Sequence, residues 1–296
     1  GDLTPVATAA APLVLAPDEL ARVERLAMHL DRPVSDGFAG AHRSRRRGRS
    51  LDFADWREYQ PGDDPRSIDQ QAWARLDQVL IRLYEADVDL SVQLVIDTSA
   101  SMKLGDKFAQ ALRTGAAIAA MALVRNESVS VATLADRTPR RYRGRGAIPL
   151  LLRTMAGWTP AGPTPLAELA RHLMVMPRRA GLLVVISDFL TPDWSAALDQ
   201  LTARREQLIA IGVSSVEDDH PDLAGEVQLV DVETGHRVDV DVNPRQVAAF
   251  TQRRLDRRAA LERHVLRNDG RWVHVDAADD LLGAVIPALM GTGVAR

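Results

Sequence analysis

Three oxygen-bearing side chains follow a buried apolar run at alternate positions: Asp97, Ser99 and Ser101. The run before them, residues 92–96, is typical of a buried strand, and a helical pattern begins near Gly105. This order places the turn at the carboxyl edge of a sheet, where ligands bind in open α/β folds. One carboxylate and two hydroxyls are hard oxygen ligands that suit Mg²⁺. The same residue types are also common in turns and helix caps, so this stretch alone leaves both interpretations open.

Two further oxygen ligands fall where a metal site at this edge would need them. Thr164 lies in a loop rich in Gly and Pro, residues 159–165, that leads into a helical pattern. Asp188 lies at the tip of the apolar run 182–186, which has the profile of a buried parallel strand. With the first turn, these loops would supply five ligands from three separate segments.

Strand and helix patterns alternate through most of the chain, which predicts an α/β fold with a doubly wound, mostly parallel sheet. The predicted strands are residues 80–90, 92–96, 128–132, 141–145, 182–186, 207–213 and 272–275. The predicted helices are residues 18–30, 108–124, 148–158, 166–176, 195–205 and 244–267.

One segment interrupts this alternation. Apolar residues alternate with polar ones on both sides of Glu233-Thr234-Gly235, which predicts a β-hairpin near residues 226–242 that is added to the sheet. We expect three parts in the chain: a flexible lead-in at 1–16, an N-terminal helix with an Arg/Asp-rich segment at 17–90, and the α/β domain at 91–296.

Composition limits the classes of function. The 296 residues carry a net charge of −3 and no cysteine, which excludes disulfides, thiolate zinc sites, iron–sulfur clusters and a cysteine nucleophile. No apolar run is long enough for a membrane span, and the first residues lack the pattern of a signal peptide. We therefore expect a cytoplasmic protein without a membrane anchor.

The three-part ligand pattern resembles the von Willebrand factor A fold and its metal-ion-dependent adhesion site. That site combines D-x-S-x-S, a lone Thr and a strand-terminal Asp, and all three occur here in order. The resemblance implies that Ser99, Ser101 and Thr164 bind Mg²⁺, Mn²⁺ or Ca²⁺ directly, and that Asp97 and Asp188 act through water. It also implies a Rossmann-like arrangement of the sheet.

An upstream segment is similar to the signature of domain-of-unknown-function family 58, whose members carry it before an adhesion-type A domain. The similarity begins near Gly40, and residues 59–69 are its most specific part. Many members carry membrane helices upstream, and no apolar run of that length occurs within these 296 residues. The signature residues expected to brace the domain or to contact a partner are His42, Arg57, Tyr59, Gly62, Asp63, Asp64, Arg66, Asp69 and Arg75.

The same resemblance implies a function. Members of this family are often encoded beside MoxR-type AAA+ ATPases and are thought to act with them in the maturation or remodelling of other proteins. Neutral hydroxyls and distant carboxylates would leave a metal with net positive charge and an open position, which an acidic residue of a partner can fill. We therefore expect a non-enzymatic adaptor that binds a MoxR-type ATPase or other von Willebrand factor A proteins.

Two alternatives stay open. A metal-dependent hydrolase of the haloacid-dehalogenase phosphatase kind would need D-x-D after the first strand, and Ser99 stands at the second position; no Walker or nucleophile-elbow motif occurs. A nucleic-acid binder could use the cluster from Arg43 to Arg49. Because this cluster lacks interleaved aromatic residues and the chain is not basic, we expect no nucleic-acid partner.

Overall fold

The computed structural model describes residues 13–30, 91–136, 138–175, 181–203 and 207–291, and the backbone of residues 55–58 and 80–83. The chain divides into two compact units. Residues Gly1–His42 and Leu90–Arg296 form the first, and residues Arg43–Asp89 form the second.

The strands of the described residues agree with the predicted ones, except that β1 was not predicted and β2 covers only the start of the strand predicted at residues 80–90. Their bounds are β1 Asp55–Glu58, β2 Leu80–Leu83, β3 Ser91–Ile96, β4 Ser128–Thr133, β5 Arg140–Arg143, β6 Gly181–Ser187, β7 Gln207–Ser214, β8 Gly225–Val230, β9 Arg237–Val242 and β10 Arg271–Asp276.

The helices that the sequence predicted are all present, with ends within a few residues of the predicted ones. Their bounds are α1 Pro17–Met28, α2 Lys107–Val124, α3 Ile148–Ala156, α4 Leu166–Val175, α5 Trp194–Ala203, α6 Val216–Asp219, α7 Pro244–Arg267 and α8 Ile286–Met290. A 3₁₀ segment, Ala100–Asp106, precedes α2, and a π turn, Leu281–Val285, precedes α8. The sequence patterns predicted neither segment, nor α6 and α8, because each is short.

A six-stranded sheet, in the order β10-β7-β6-β3-β4-β5, forms the centre of the first unit. All its neighbouring pairs are parallel except β4 with β5, which is antiparallel. The prediction of an α/β fold with a mostly parallel sheet is therefore confirmed. Because β3 lies between β4 and β6, the turn that follows it stands at the middle of the sheet's carboxyl edge.

The helix α2 covers β3 and is buried along most of its length. Its alanines allow a close approach, and Gly115 is required at the closest point: a Cβ there would lie 2.7 Å from Ile96 Cδ1 and 3.0 Å from Leu94 Cδ2. This tight packing fixes the start of α2 relative to the end of β3.

The N-terminal helix α1 belongs to the same unit. Val23 and Ala27 are fully buried in the core, and Arg113 of α2 forms an ion pair with Glu19. Val14 and Leu15, at the end of the predicted lead-in, are also buried, because their apolar side chains pack with this core. The structure thus groups α1 with the sheet rather than with residues 43–89.

The predicted hairpin is present, but its attachment differs from the prediction. β8 and β9 pair with each other in an antiparallel two-stranded sheet of their own. The prediction that they extend the main sheet was wrong. The two edge strands of the main sheet are β5 and β10, and neither pairs with the hairpin. The residues of the hairpin strands are mostly exposed.

In the second unit, β1 and β2 form an antiparallel pair, with Trp56 opposite Arg82. The signature residues lie outside the described residues, except Arg57, whose backbone is in β1. The cluster Arg43–Arg49 also lies outside them. Across the described parts of the chain, no helix is long and apolar enough to cross a membrane.

Candidate functional site

The loops after β3 and β6, and the loop before α4, meet at the carboxyl edge of the sheet. The backbone N–H of Asp97 donates to the carbonyl of Ile186, which ties the end of β3 to β6. Two backbone hydrogen bonds, from Ala100 N to Gly162 O at 2.7 Å and from Ala161 N to Thr98 O at 2.6 Å, tie the first turn to the Thr164 loop. The structure therefore brings the three predicted segments together.

Asp97 is fully buried and acts as the centre of the first turn. Its Oδ1 accepts the backbone N–H of Ser99 at 2.8 Å, and its Oδ2 accepts the hydroxyl of Ser187 at 2.5 Å. Ser99 and Ser101 are buried as well, with their hydroxyl oxygens 3.0 Å apart. Two hydroxyls of one turn thus hydrogen-bond to each other beside a buried carboxylate.

Burial, and then the neighbouring Asp188 carboxylate, raise the pKa of Asp97 to about 6, although hydrogen bonds from Ser187 and Ser99 act in the opposite direction. The cause is physical: a carboxylate removed from water and placed near a second carboxylate is costly to ionise. A divalent cation would offset both effects. The donor set therefore fits a hard cation.

Thr164 is buried and forms two hydrogen bonds to the hairpin. Its hydroxyl donates to Glu233 Oε1 at 2.9 Å, and its backbone N–H donates to Glu233 Oε2 at 3.3 Å. Since the hydroxyl donates its proton outward, the lone pairs of Thr164 Oγ1 are left for another partner.

Asp188 is engaged on both oxygens. Oδ1 accepts the backbone N–H of Leu190 at 3.1 Å, and Oδ2 accepts from Lys107 Nζ at 2.9 Å. Lys107, at the start of α2, is fully buried, and its ammonium also lies 2.7 Å from Asp218 Oδ2 of α6. Asp188 therefore already has a cationic partner within the protein.

The approach of α6 to α2 depends on Gly105, in the 3₁₀ segment. Gly105 has a φ of +56°, and a Cβ there would lie 2.2 Å from the hydroxyl of Ser215, the N-cap of α6. Glycine is the residue that tolerates both the left-handed backbone and this contact. The close approach lets Asp218 reach Lys107.

The helix α7 holds the loop that follows β6. Arg257 Nη2 donates to the carbonyl oxygens of Phe189 and Thr191, both at 2.6 Å. Phe189 has a φ of +52°, and its N–H donates to Ser187 Oγ at 2.9 Å. These bonds fix the turn that presents Asp188.

Sequence reasoning missed three contributors to this region: Ser187, Lys107 and Glu233. Ser187 directly precedes Asp188, so its proximity was visible. Lys107 had a compositional signal, since the chain contains only two lysines, Lys103 and Lys107, beside 35 arginines. Glu233 had no signal, because an acidic residue in a hairpin turn is typically solvated.

No group of three or more His, Asp or Glu side chains is placed to hold a metal ion anywhere in the described ranges. A metal at this edge would depend on the hydroxyls of Ser99, Ser101 and Thr164 together with two carboxylates. The predicted ligand set thus stays a prediction, with its residues clustered in three adjoining loops.

The chain is similar in sequence to uncharacterized mycobacterial proteins. An uncharacterized protein of Mycobacterium tuberculosis is 32% identical over 239 residues, covering 73% of this chain and 74% of the relative. An uncharacterized protein of Mycobacterium avium is 34% identical over 152 residues, covering 46% of this chain and 88% of the relative.

Among solved structures, the conserved hypothetical protein BatB from Bacteroides thetaiotaomicron aligns over 69% of this chain and all of its own, with 13% identity and a TM-score of 0.40. An aerotolerance-related membrane protein from Bacteroides fragilis, with multiple mutations to serines, aligns over the same shares with 16% identity and a TM-score of 0.40.

The family model described as "Protein of unknown function DUF58" matches residues 55–260, which include all three loops of the candidate site, and the chain belongs to this family.

Proposed function

We propose that this protein is a non-enzymatic, metal-dependent protein–protein interaction module of the von Willebrand factor A type. In this proposal Ser99, Ser101 and Thr164 hold a divalent cation, Mg²⁺ in the first place, and Asp97 and Asp188 support it through water. The ion would supply a positively charged, open coordination position that an acidic residue of a partner fills.

The observation that carries this proposal is the buried carboxylate of Asp97, which lies near Asp188 and beside two hydroxyls 3.0 Å apart. Buried charges are normally paired or coordinate a metal. The engagement of both Asp188 oxygens agrees with an indirect role for this residue, since a water can lie between it and the ion.

The residue types of the first turn favour binding over turnover in this proposal. Asp97 has Ser99 at the position where a phosphatase of the D-x-D kind needs a second carboxylate. The partner that we propose is a MoxR-type AAA+ ATPase or a second von Willebrand factor A protein. This implies a cytoplasmic location, where ATP is available to such a partner.

The test is capture of a MoxR-type ATPase from the source organism, with Mg²⁺ or with EDTA. The variants are Ser99→Ala/Ser101→Ala and Thr164→Ala. The matched control is Thr159→Ala, an exposed hydroxyl in the same loop as Thr164. We expect capture by wild type and Thr159→Ala in Mg²⁺, and at least a tenfold loss with EDTA or in either site variant. Equal capture under all conditions would overturn the metal-bridged mechanism.

A further inference from the structure

Glu233 contacts the candidate site from within the same chain. Both of its carboxylate oxygens are bound by Thr164, one by the hydroxyl and the other by the backbone N–H. Glu233 is half-buried, unlike its neighbours in the hairpin turn, which are exposed. A carboxylate therefore already lies against one of the three proposed hydroxyl ligands.

The hairpin turn holds Glu233 in a defined position. Asp231 Oδ1 accepts the backbone N–H groups of Glu233 at 2.8 Å and Thr234 at 3.1 Å. The backbone N–H of Gly235, at a φ of +73°, donates to Asp231 O. The hydrogen bonds from Glu233 and Thr234 to the carboxylate lower the pKa of Asp231 because they stabilise its ionised form. The turn presents Glu233 without help from the main sheet.

The hairpin is joined to the rest of its unit at few points. Across the described residues, the hydrogen bonds that connect residues 225–242 to the remainder are the two from Thr164 to Glu233. β8 and β9 otherwise bond to each other. The hairpin therefore forms its hydrogen bonds to the candidate site through one carboxylate, that of Glu233.

We propose that Glu233 is an internal ligand, which completes the coordination shell of a divalent ion at the Ser99, Ser101 and Thr164 site. This inference rests on the proposed function. The Glu233 carboxylate has the same chemistry as the partner carboxylate that it would replace. Both supply a hard, anionic oxygen, and Glu233 lies next to a hydroxyl ligand.

The consequence is a closed site in the free protein. A tethered carboxylate has an effective concentration on the order of millimolar, so a partner's acidic residue must displace it. The apparent affinity for the partner is then the intrinsic affinity multiplied by the fraction of molecules in which the hairpin is undocked.

The test uses Mn²⁺ as the probe and the full chain. Binding is measured by electron paramagnetic resonance, and the number of waters on bound Mn²⁺ by water-proton relaxation. The variants are Glu233→Gln, which removes the charge, and Ser99→Ala/Ser101→Ala. The matched control is Glu226→Gln, an exposed glutamate of β8. We expect Glu233→Gln to bind Mn²⁺ about tenfold more weakly and to carry one more water, whereas Glu226→Gln matches wild type.

The outcomes separate the two proposals. Mn²⁺ binding that needs the serines but is unchanged in Glu233→Gln, in affinity and in water number, overturns only the internal ligand. Weaker binding without an additional water also overturns it, because Glu233 would then act only as a tether of the hairpin. An absence of serine-dependent Mn²⁺ binding overturns the metal site and the internal ligand together.

Discussion

Two groups of buried polar side chains lie next to Asp188, and they differ in how their charge is balanced. In the first group, the fully buried Lys107 ammonium lies between Asp188 and Asp218. In the second group, Asp97 accepts hydrogen bonds from the Ser187 hydroxyl and the Ser99 backbone N–H, and no Lys, Arg or His of the described residues forms an ion pair with it. The first group has its cation built in, whereas the second would obtain one by binding it.

The difference separates a structural role from a binding role. A buried ion pair with both partners present holds its elements together without exchange of ions. A buried carboxylate with a raised pKa is costly to the fold, and such groups concentrate at functional sites. The two groups next to Asp188 should therefore respond differently to substitution.

The largest expected effect is at Lys107. Lys107→Met leaves Asp188 and Asp218 buried without their cation, so we expect the free energy of unfolding to fall by about 3–5 kcal/mol. Urea denaturation measures it. The matched control is Lys103→Met, at the other lysine of the chain, which is exposed and should change stability by less than about 0.5 kcal/mol. Similar losses in both variants would contradict a buried, structural cation.

Substitution of Asp97 is expected to have the opposite effect, a rise in the free energy of unfolding. With EDTA present at pH 7, Asp97→Asn removes a buried charge whose pKa is raised from 3.8 to about 6, so the free energy of unfolding should rise by up to about 3 kcal/mol. Asp106→Asn, at an exposed aspartate just before α2, is the control and should be close to neutral. A loss of stability in Asp97→Asn would show that its hydrogen bonds outweigh its charge.

The pH dependence of this difference follows from linkage. Between pH 6 and about 4 the folded protein holds a proton on Asp97 that the unfolded chain releases, so acid stabilises the fold through this group. The advantage of Asp97→Asn should therefore be largest above pH 6 and decline as the pH falls towards 4. An advantage that grows on acidification would contradict the raised pKa.

The smallest expected effect is that of the ion itself. At a Mg²⁺ concentration ten times the dissociation constant, the free energy of unfolding of the wild type should rise by about 1.4 kcal/mol, as measured by thermal unfolding. Ser99→Ala/Ser101→Ala should gain nothing, and Lys103→Met should gain as much as wild type. Equal stabilisation of all three proteins would indicate non-specific binding of the ion.

The sequence predicted the sheet well because its signals are local. Buried strands such as residues 182–186 form continuous apolar runs, and α7 begins at Asn243-Pro244 with a capping box, so periodicity and caps located both. The three ligand loops follow from the same patterns, since each stands at the end of a predicted strand or before a predicted helix.

The contacts across the chain could not be predicted in this way. Alternation identified β8 and β9 as strands but carries no information about which edge they pair with. Lys107 is 81 positions from Asp188, and Thr164 is 69 positions from Glu233. A single sequence states which side chains have charge or hydroxyls, but tertiary packing decides which of them meet.

The parallel pairing of β3 with β6 has a consequence for folding kinetics. Asp97, which follows β3, and Ser187, the last residue of β6, are 90 positions apart and meet only after a long-range parallel pair has formed. Such pairings are slow, because loop closure precedes the contacts that compensate for it. An ion that needs both loops has no site until that step is complete. Its binding should slow unfolding and leave the folding rate unchanged.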